Sequence, residues 1–446
     1  MIMAIVSDNP GKKIRDTVPR TSQGDFSLSP QRPTILQAIN ASNQDRVPDL
    51  IPIRCGRMSV SPFAFYRGTA DIMAHDLSFL PHTSLQVQAM GDCHLMNFGG
   101  FATPERNLIF DANDFDETLP APWEWDIKRL ATSFVLAARH NSMRETDARQ
   151  MAVDMASAYR IAMAEYAQMN TLDLWYMKFE MQDLLNKARN EKVKGMLRDA
   201  MDKAEKSTPE KVFYKITQSV LGSFEILDQH PLIYHPIDLV KQKKMVQDFL
   251  NFYMNTLQDD RRFLFSQYRV VDIALKVVGV GSVGTRCLVA LMMNAKDEPL
   301  FMQIKEARTS VLEAYTGKSK YKHNGERVVQ GQRLVQAASD MFLGWSTGLE
   351  GKHFYLRQLR DRKIAPDVEH FDKEVMAAYA GLCGRVLARA HAKTGPADII
   401  SGYLGKADVM DQAIGKFAVA YADQTEKDYT AFVKAIKAGK IKAEVM

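Results

Sequence analysis

The chain has 446 residues, 46% of them hydrophobic and 25% charged, with a formal net charge of +5 and a pI near 8.8. Those proportions describe an ordinary globular protein with room for roughly two or three domains at ~150 residues each. The mild basic excess does not call for nucleic acid and suits an anionic ligand as well.

Cys55, Cys93, Cys287 and Cys383 are far apart and form no C-x-x-C pair, which argues against structural zinc and a disulfide scaffold and for a reducing compartment. The opening Met-Ile-Met-Ala-Ile-Val-Ser-Asp lacks a basic region ahead of its apolar run, a poor signal peptide. No apolar run approaches the ~18 residues of a membrane span. We therefore expect a cytoplasmic protein with no membrane partner and no nucleic-acid partner.

In chain order, residues 1 to about 50 read as a loose lead-in with one short helix, Thr34 to Asn40. Residues 57–80 read as an amphipathic helix behind the loop Arg57–Pro62. Strand-like runs follow at Leu85–Ala89 and Asn107–Phe110, around two acidic motifs. From Trp123 to about Val220 the pattern is helical, with Met151, Met155, Tyr159 and Met163 four apart. A helix is expected over Lys241–Asn255. From Val270 the grammar turns to short β-like runs: Ile273–Val278, Cys287–Met293, Leu300–Ile304 and Phe354–Leu359. A helix at about Glu326–Asp340 sits among them. Residues 371–393 form another helix, and the remainder is mostly helical.

The first acidic motif is Gly91-Asp-Cys-His-Leu-Met-Asn97. Phosphoryl transfer needs an Asp to position and deprotonate the acceptor, and an Asn and a second Asp to hold magnesium on the phosphates. Asp92 fits the base, Asn97 the metal ligand, and His94 a brace for the loop. The second motif, Asp111-Ala-Asn-Asp-Phe-Asp-Glu117, is a natural hard-cation site. Asp114 is the chosen metal ligand, with Asp111 and Asp116 as alternatives.

Gly279-Val-Gly-Ser-Val-Gly284 is a G-x-G-x-x-G loop that lets backbone amides approach phosphates. Gly279, Gly281, Ser282 and Gly284 are its candidate contacts. A dinucleotide turn would continue into a helix and an acid, for which Glu306 is placed. A kinase-type loop would continue into a hairpin and a strand ending in Lys, for which Lys305 is placed. The hairpin-like tip Asn294–Pro299 favours the second form. Glu326, or else Glu313, is the expected partner of Lys305. Arg57, Arg67 and Tyr66 could face an anionic substrate, but surface or packing roles are the favoured reading.

These motifs, together with Arg57–Gly68, Asn113–Thr118, Glu124–Leu130, Gly331–Leu334, Phe354–Asp361 and Leu387–Ala392, resemble the bacterial family known as domain of unknown function 2252. The resemblance implies membership of the protein-kinase-like superfamily, nearest in style to aminoglycoside and choline phosphotransferases. Their loop His-Gly-Asp-x-His-x-x-Asn is matched by Gly91, Asp92, His94 and Asn97, with Met90 in place of the leading His. The resemblance carries the role of a helix Asp that braces this loop to Asp126. In ordinary kinase-like chains the glycine loop and Lys precede the catalytic loop, whereas here they follow it.

The expectation is therefore an α+β, two-lobed protein-kinase-like fold in circularly permuted order, its termini redrawn at exposed loops. Residues 1–84 would be an N-terminal extension and lead-in helix, and 85–265 the catalytic and metal loops plus the helical large lobe. Residues 266–360 would be a β-rich nucleotide-binding small lobe, and 361–446 helices completing the large lobe. The expected activity is phosphoryl transfer with ATP and Mg2+ as cofactors, to a hydroxyl on an unidentified small molecule or protein. The alternatives are nucleotidyl transfer, a nucleotide-binding pseudokinase module and a nicotinamide oxidoreductase.

Overall fold

Among the described residues, twelve strands and a set of long helices give a mixed α+β architecture. The computed structural model describes residues 9–207, 209–220, 223–235, 243–359 and 362–444. The N-terminal apolar run, the expected helix start at Lys241 and the motif residues Arg360 and Asp361 lie outside them. Among the described residues no helix is long and apolar enough to cross a membrane.

The helical part is organised around four long helices, Trp123–His140, Glu145–Tyr166, Lys373–Thr394 and Val409–Lys437. Met151, Met155, Tyr159 and Met163 line one face of the second and are all buried in the main core. Gly384 lets the Lys373–Thr394 helix approach it closely, since a Cβ there would lie 2.3 Å from the Met155 carbonyl oxygen.

Two small antiparallel pairs stand against these helices. Strand β1 (Gln86–Ala89) pairs with β4 (Leu119–Pro122), and β2 (Phe98–Ala102) pairs with β3 (Leu108–Ala112). The loops between them carry both acidic motifs. A further hairpin joins β5 (Thr217–Val220) to β6 (Ser223–Ile226).

The remaining strands are β7 (Ile233–Tyr234), β8 (Arg269–Lys276), β9 (Cys287–Met293), β10 (Pro299–Glu306), β11 (Gly344–Thr347) and β12 (His353–Gln358). They form one antiparallel sheet in the order β11-β12-β10-β9-β8-β7. Side chains alternate across it with period two. Ile273, Met292, Met302 and Ile304 point to a core shared with Tyr253 and Phe265, while Ala274, Val289, Leu291 and Phe301 meet Phe213 and Ile226 on the other face. The sheet and its covering helices thus draw on residues ahead of 266 as well as those after it.

Several sequence expectations need correction. The segment 57–80 is not one helix: Ile51–Met58 takes in Arg57, and Pro62–Arg67 and Ala70–Ser78 follow. Ser61 caps the middle helix, and Gly68 and Thr69 end it. The lead-in contains a second helix, Pro10–Thr17, packed on Ala397–Leu404 through Gly11. Helix gives way to strand at Thr217, before the expected Val220. The Asn324–Val335 helix stops short of Asp340 because Gln336 and Ala337 turn away to bond the Ala112 carbonyl and the Asp111 carboxylate.

Candidate active site

The glycine loop lies between β8 and β9, two antiparallel neighbours, so it is a hairpin turn followed by strand rather than by helix. Gly279 and Gly284 adopt φ of 69° and 89°, a region that disfavours side chains. The loop is held from outside: Arg57 donates to the Gly279 carbonyl at 2.6 Å, Arg46 to that of Val283 at 2.6 Å, and the Val47 amide to that of Gly284 at 2.8 Å. A Cβ on Gly281 would lie 2.9 Å from the Arg67 carbonyl oxygen.

Lys305 stands on β10 opposite Cys287 and Tyr355. Its Nζ is 2.7 Å from Asp116 Oδ2 and 3.8 Å from Asp114 Oδ2, although Lys305 and Asp116 are 189 residues apart in sequence. Tyr355 donates its hydroxyl to Asp116 Oδ1 at 2.7 Å, and Ser282 Oγ lies 3.5 Å from Asp116 Oδ2. Burial opposes the charge on Lys305, but Asp114 and Asp116 outweigh it and hold the ammonium well above its usual value. Burial and the neighbouring Asp116 push Asp114 up. Asp116 feels the same burial, yet Lys305 and the Tyr355 hydroxyl bring it below the usual carboxylate range.

The two acidic motifs meet directly. The Asn113 amide donates to the Asn97 carbonyl at 3.0 Å, and Asn97 Nδ2 donates to the Asp92 carbonyl at 2.8 Å. Gly91, at φ 78°, approaches so closely that a Cβ would lie 2.5 Å from the Glu117 carbonyl oxygen. Burial pushes the Glu117 carboxyl up to about 7, with Arg327 opposing.

Asp126, in the first turn of the Trp123–His140 helix, accepts the Met90 and Gly91 amides at 2.7 and 3.0 Å. It also lies 3.2 Å from His391 Nε2, whose Nδ1 is 2.9 Å from the Tyr159 hydroxyl. Arg129, one turn on, bonds Asp92 Oδ1 through Nε at 2.7 Å, and among the described residues Oδ2 takes no hydrogen bond and lies 3.9 Å from His94 Nε2. Burial, then Arg67 and Arg129, drive the His94 imidazole well below its usual value, so it is neutral at ordinary pH.

The structure separates the three candidate metal aspartates. Asp111 is fully buried against Arg389 at 2.7 Å and also accepts the Ala337 amide, which makes it a structural group. Asp116 is taken by Lys305 and Tyr355. Asp114 is 30% exposed, and among the described residues its only ion pair is the longer one to Lys305. Among the described residues no three His, Cys, Asp or Glu side chains gather as a metal site. Magnesium is usually held by one or two carboxylates together with phosphates, so Asp114 and Asn97 suffice for such a fit.

The expected pairing of Lys305 with Glu326 or Glu313 is not present. Glu326 lies in the first turn of the Asn324–Val335 helix, its amide capped by His323 Nδ1. The next residue, Arg327, faces the site instead, donating to the Thr118, Asp116 and Arg308 carbonyls. Sequence reasoning missed Arg129, Asp116 as the lysine's partner, Tyr355 and Arg357, which bonds Gln303 Oε1 and the Asn113 carbonyl. Arg129 was within reach, because it lies three residues after Asp126 and shares its helix face. A cavity of about 1300 Å³ lies elsewhere, on the opposite face of the sheet, lined by Phe249, Ile273, Met292, Ile304 and Leu356.

These features define a mixed α+β protein in which a glycine-loop hairpin and a buried lysine face paired acidic loops. The chain belongs to the family described as uncharacterized protein conserved in bacteria, domain of unknown function 2252, which residues 46–435 match. No curated protein and no solved structure matches it.

Proposed function

We propose that this chain is a circularly permuted, protein-kinase-like phosphotransferase that moves the γ-phosphoryl group of Mg-ATP to a hydroxyl acceptor. The observation that carries this reading is the convergence of Lys305, one hairpin beyond the glycine loop, on Asp114 and Asp116, in an acidic segment bonded to the Asp92–Asn97 loop. A dinucleotide-binding turn has no need of that acidic segment, and it would open a helix where β9 stands.

Bound Mg-ATP would supply the transferable phosphoryl group and the charge neutralisation of its leaving group. The glycine-loop amides and Lys305 would hold the phosphates, with Lys305 exchanging Asp116 for phosphate oxygens. Asp114 and the Asn97 amide oxygen would hold the magnesium. Asp92 Oδ2 would take the acceptor's hydroxyl proton as the new O–P bond forms and the bond to the β-bridging oxygen breaks, releasing ADP. Arg129 fixes the orientation of Asp92, while Asp126 fixes the loop that carries it.

Thermal-shift titration with ATP, with and without magnesium, tests nucleotide binding. We expect a magnesium-dependent rise in melting temperature that Asp114→Asn weakens and Asp92→Asn leaves intact. A rise with NAD or NADP and none with any nucleoside triphosphate would reverse the reading in favour of an oxidoreductase. With the acceptor in hand, Asp92→Asn should lose on the order of 10²–10⁴ in rate. ATP labelled separately at the α- and γ-phosphorus distinguishes phosphoryl from nucleotidyl transfer.

A further inference from the structure

The arginines around the site are bonded almost without exception. Arg54 holds the Asn43 side chain and the Gly68 carbonyl, Arg129 holds Asp92 and the Tyr66 carbonyl, Arg327 holds three carbonyls, and Arg389 holds Asp111. Two other candidates for an anionic substrate are also committed within the protein. Arg57 holds the glycine loop, and the Tyr66 hydroxyl donates to the Arg129 carbonyl.

Arg67 differs. Among the described residues its guanidinium makes no hydrogen bond and no ion pair, and its Nε is both buried and unpartnered. Its Cζ lies 5.9 Å from the centre of the Phe63 ring. A buried guanidinium nitrogen without a partner, on a side chain whose other end is partly exposed, is rare and calls for an explanation.

Its position supplies one. The Arg67 backbone oxygen lies directly under Gly281, at the tip of the glycine loop. Burial lowers the Arg67 pKa, and the charges that oppose this are Asp92 and the exposed Glu369, not Asp114 or Asp116. Arg67 is also the charge that acts most on neutral His94. The carbonyl just before it, that of Tyr66, accepts at 3.1 Å from the same Arg129 guanidinium that holds Asp92, which sets Arg67 on the Asp92 side of the site. An arginine fork matches carboxylate and phosphate oxygens in a bidentate manner.

We propose that Arg67 is the acceptor-recognition residue, and that the acceptor carries an anionic carboxylate or phosphate group close to its reactive hydroxyl. The proposal rests on the phosphoryl-transfer reading, but its binding component can be tested separately.

The experiment is a thermal-shift titration at constant ionic strength with glycerate, glycerol 3-phosphate and neutral glycerol. It uses the full chain, its Arg67→Gln and Arg67→Lys variants, and Lys305→Met. Melting curves without ligand first establish that each variant is folded. We expect glycerate or glycerol 3-phosphate to raise the melting temperature of wild type and Lys305→Met. The effect should be lost in Arg67→Gln and partly restored in Arg67→Lys, and glycerol should do nothing. The Mg-ATP response should be the same in Arg67→Gln as in wild type. An anion effect that survives Arg67→Gln, vanishes with Lys305→Met or is absent throughout overturns the assignment. Loss of the Mg-ATP response in wild type with the Arg67-dependent anion effect intact would instead refute the phosphoryl-transfer reading alone. Which of the two anions stabilises more separates a carboxylate from a phosphate acceptor.

Discussion

Replacing Asp116 by Asn should destabilise the fold, although the substitution is isosteric and the residue sits in a loop. Lys305 is 3% exposed and its shortest ion pair is to Asp116 at 2.7 Å. Removing one partner of a buried pair costs about 3–5 kcal/mol, because the other charge stays buried. Two features reduce that figure here. Asp116 is itself 27% exposed, and Asp114 remains 3.8 Å from the ammonium. An Asn oxygen can still accept the Tyr355 hydroxyl, so that bond need not be lost. A loss of about 2–3 kcal/mol is therefore expected, at or below the lower end of the range for buried pairs. Urea denaturation at pH 7 measures it. Lys305→Met/Asp116→Asn removes both charges and should be less destabilised than the two single variants sum to, by about 1–3 kcal/mol. An Asp116→Asn protein within about 0.5 kcal/mol of wild type, the usual scale for surface substitutions, would refute the view of this pair as a buried electrostatic clamp.

Asp126→Ala leaves the buried Met90 amide unsatisfied and frees His391, so it should cost about 3 kcal/mol or more in denaturation and abolish turnover. An unchanged melting curve would remove its bracing role. Lys128 is 1% exposed above the Phe417 ring, and burial, against Glu124 and Asp25, pulls its ammonium down to about 8. Between pH 8 and 10.5 the folded state thus binds fewer protons than the unfolded chain, so stability should rise with pH across that window. Lys128→Met should flatten this rise and stabilise the protein at pH 7 by about 1–3 kcal/mol, and a loss at pH 7 would contradict the reasoning. Gly281→Ala should lower stability by about 1–2 kcal/mol, since its methyl group meets the Arg67 carbonyl oxygen at 2.9 Å. Parallel denaturation of Gly195→Ala, where a Cβ meets nothing within 4 Å, provides the control, and an equal effect would refute the contact.

The legible parts of this chain were those whose signal is local. The run Cys287–Met293 is a strand over its full expected length, and the Asn294–Pro299 turn closes on the Asn294 side chain, which accepts the Lys296 and Glu298 amides. The helical period around Met151 and Tyr159 was plain because that face is wholly buried. What escaped depended on register and tertiary contact. Strand β2, Phe98-Gly-Gly-Phe-Ala102, has two glycines and little β-propensity, and exists because β3 pairs with it. Tyr355 and Arg357 join the site because β12 lies beside β10 in a register that sets Tyr355 opposite Lys305. Nothing in either strand alone specifies that register. Glu326 was a reasonable partner for Lys305 by position, but helix phase turns Arg327 inward in its place.

The most direct test is a crystal soaked with a non-hydrolysable ATP analogue and magnesium. The account predicts triphosphate beneath Gly279–Gly284, Lys305 moved from Asp116 onto phosphate oxygens, and a metal ion bound by Asp114 and Asn97 with Asp92 facing the γ-phosphate. Nucleotide bound elsewhere, or phosphates held without Lys305 and Asp114, would contradict it.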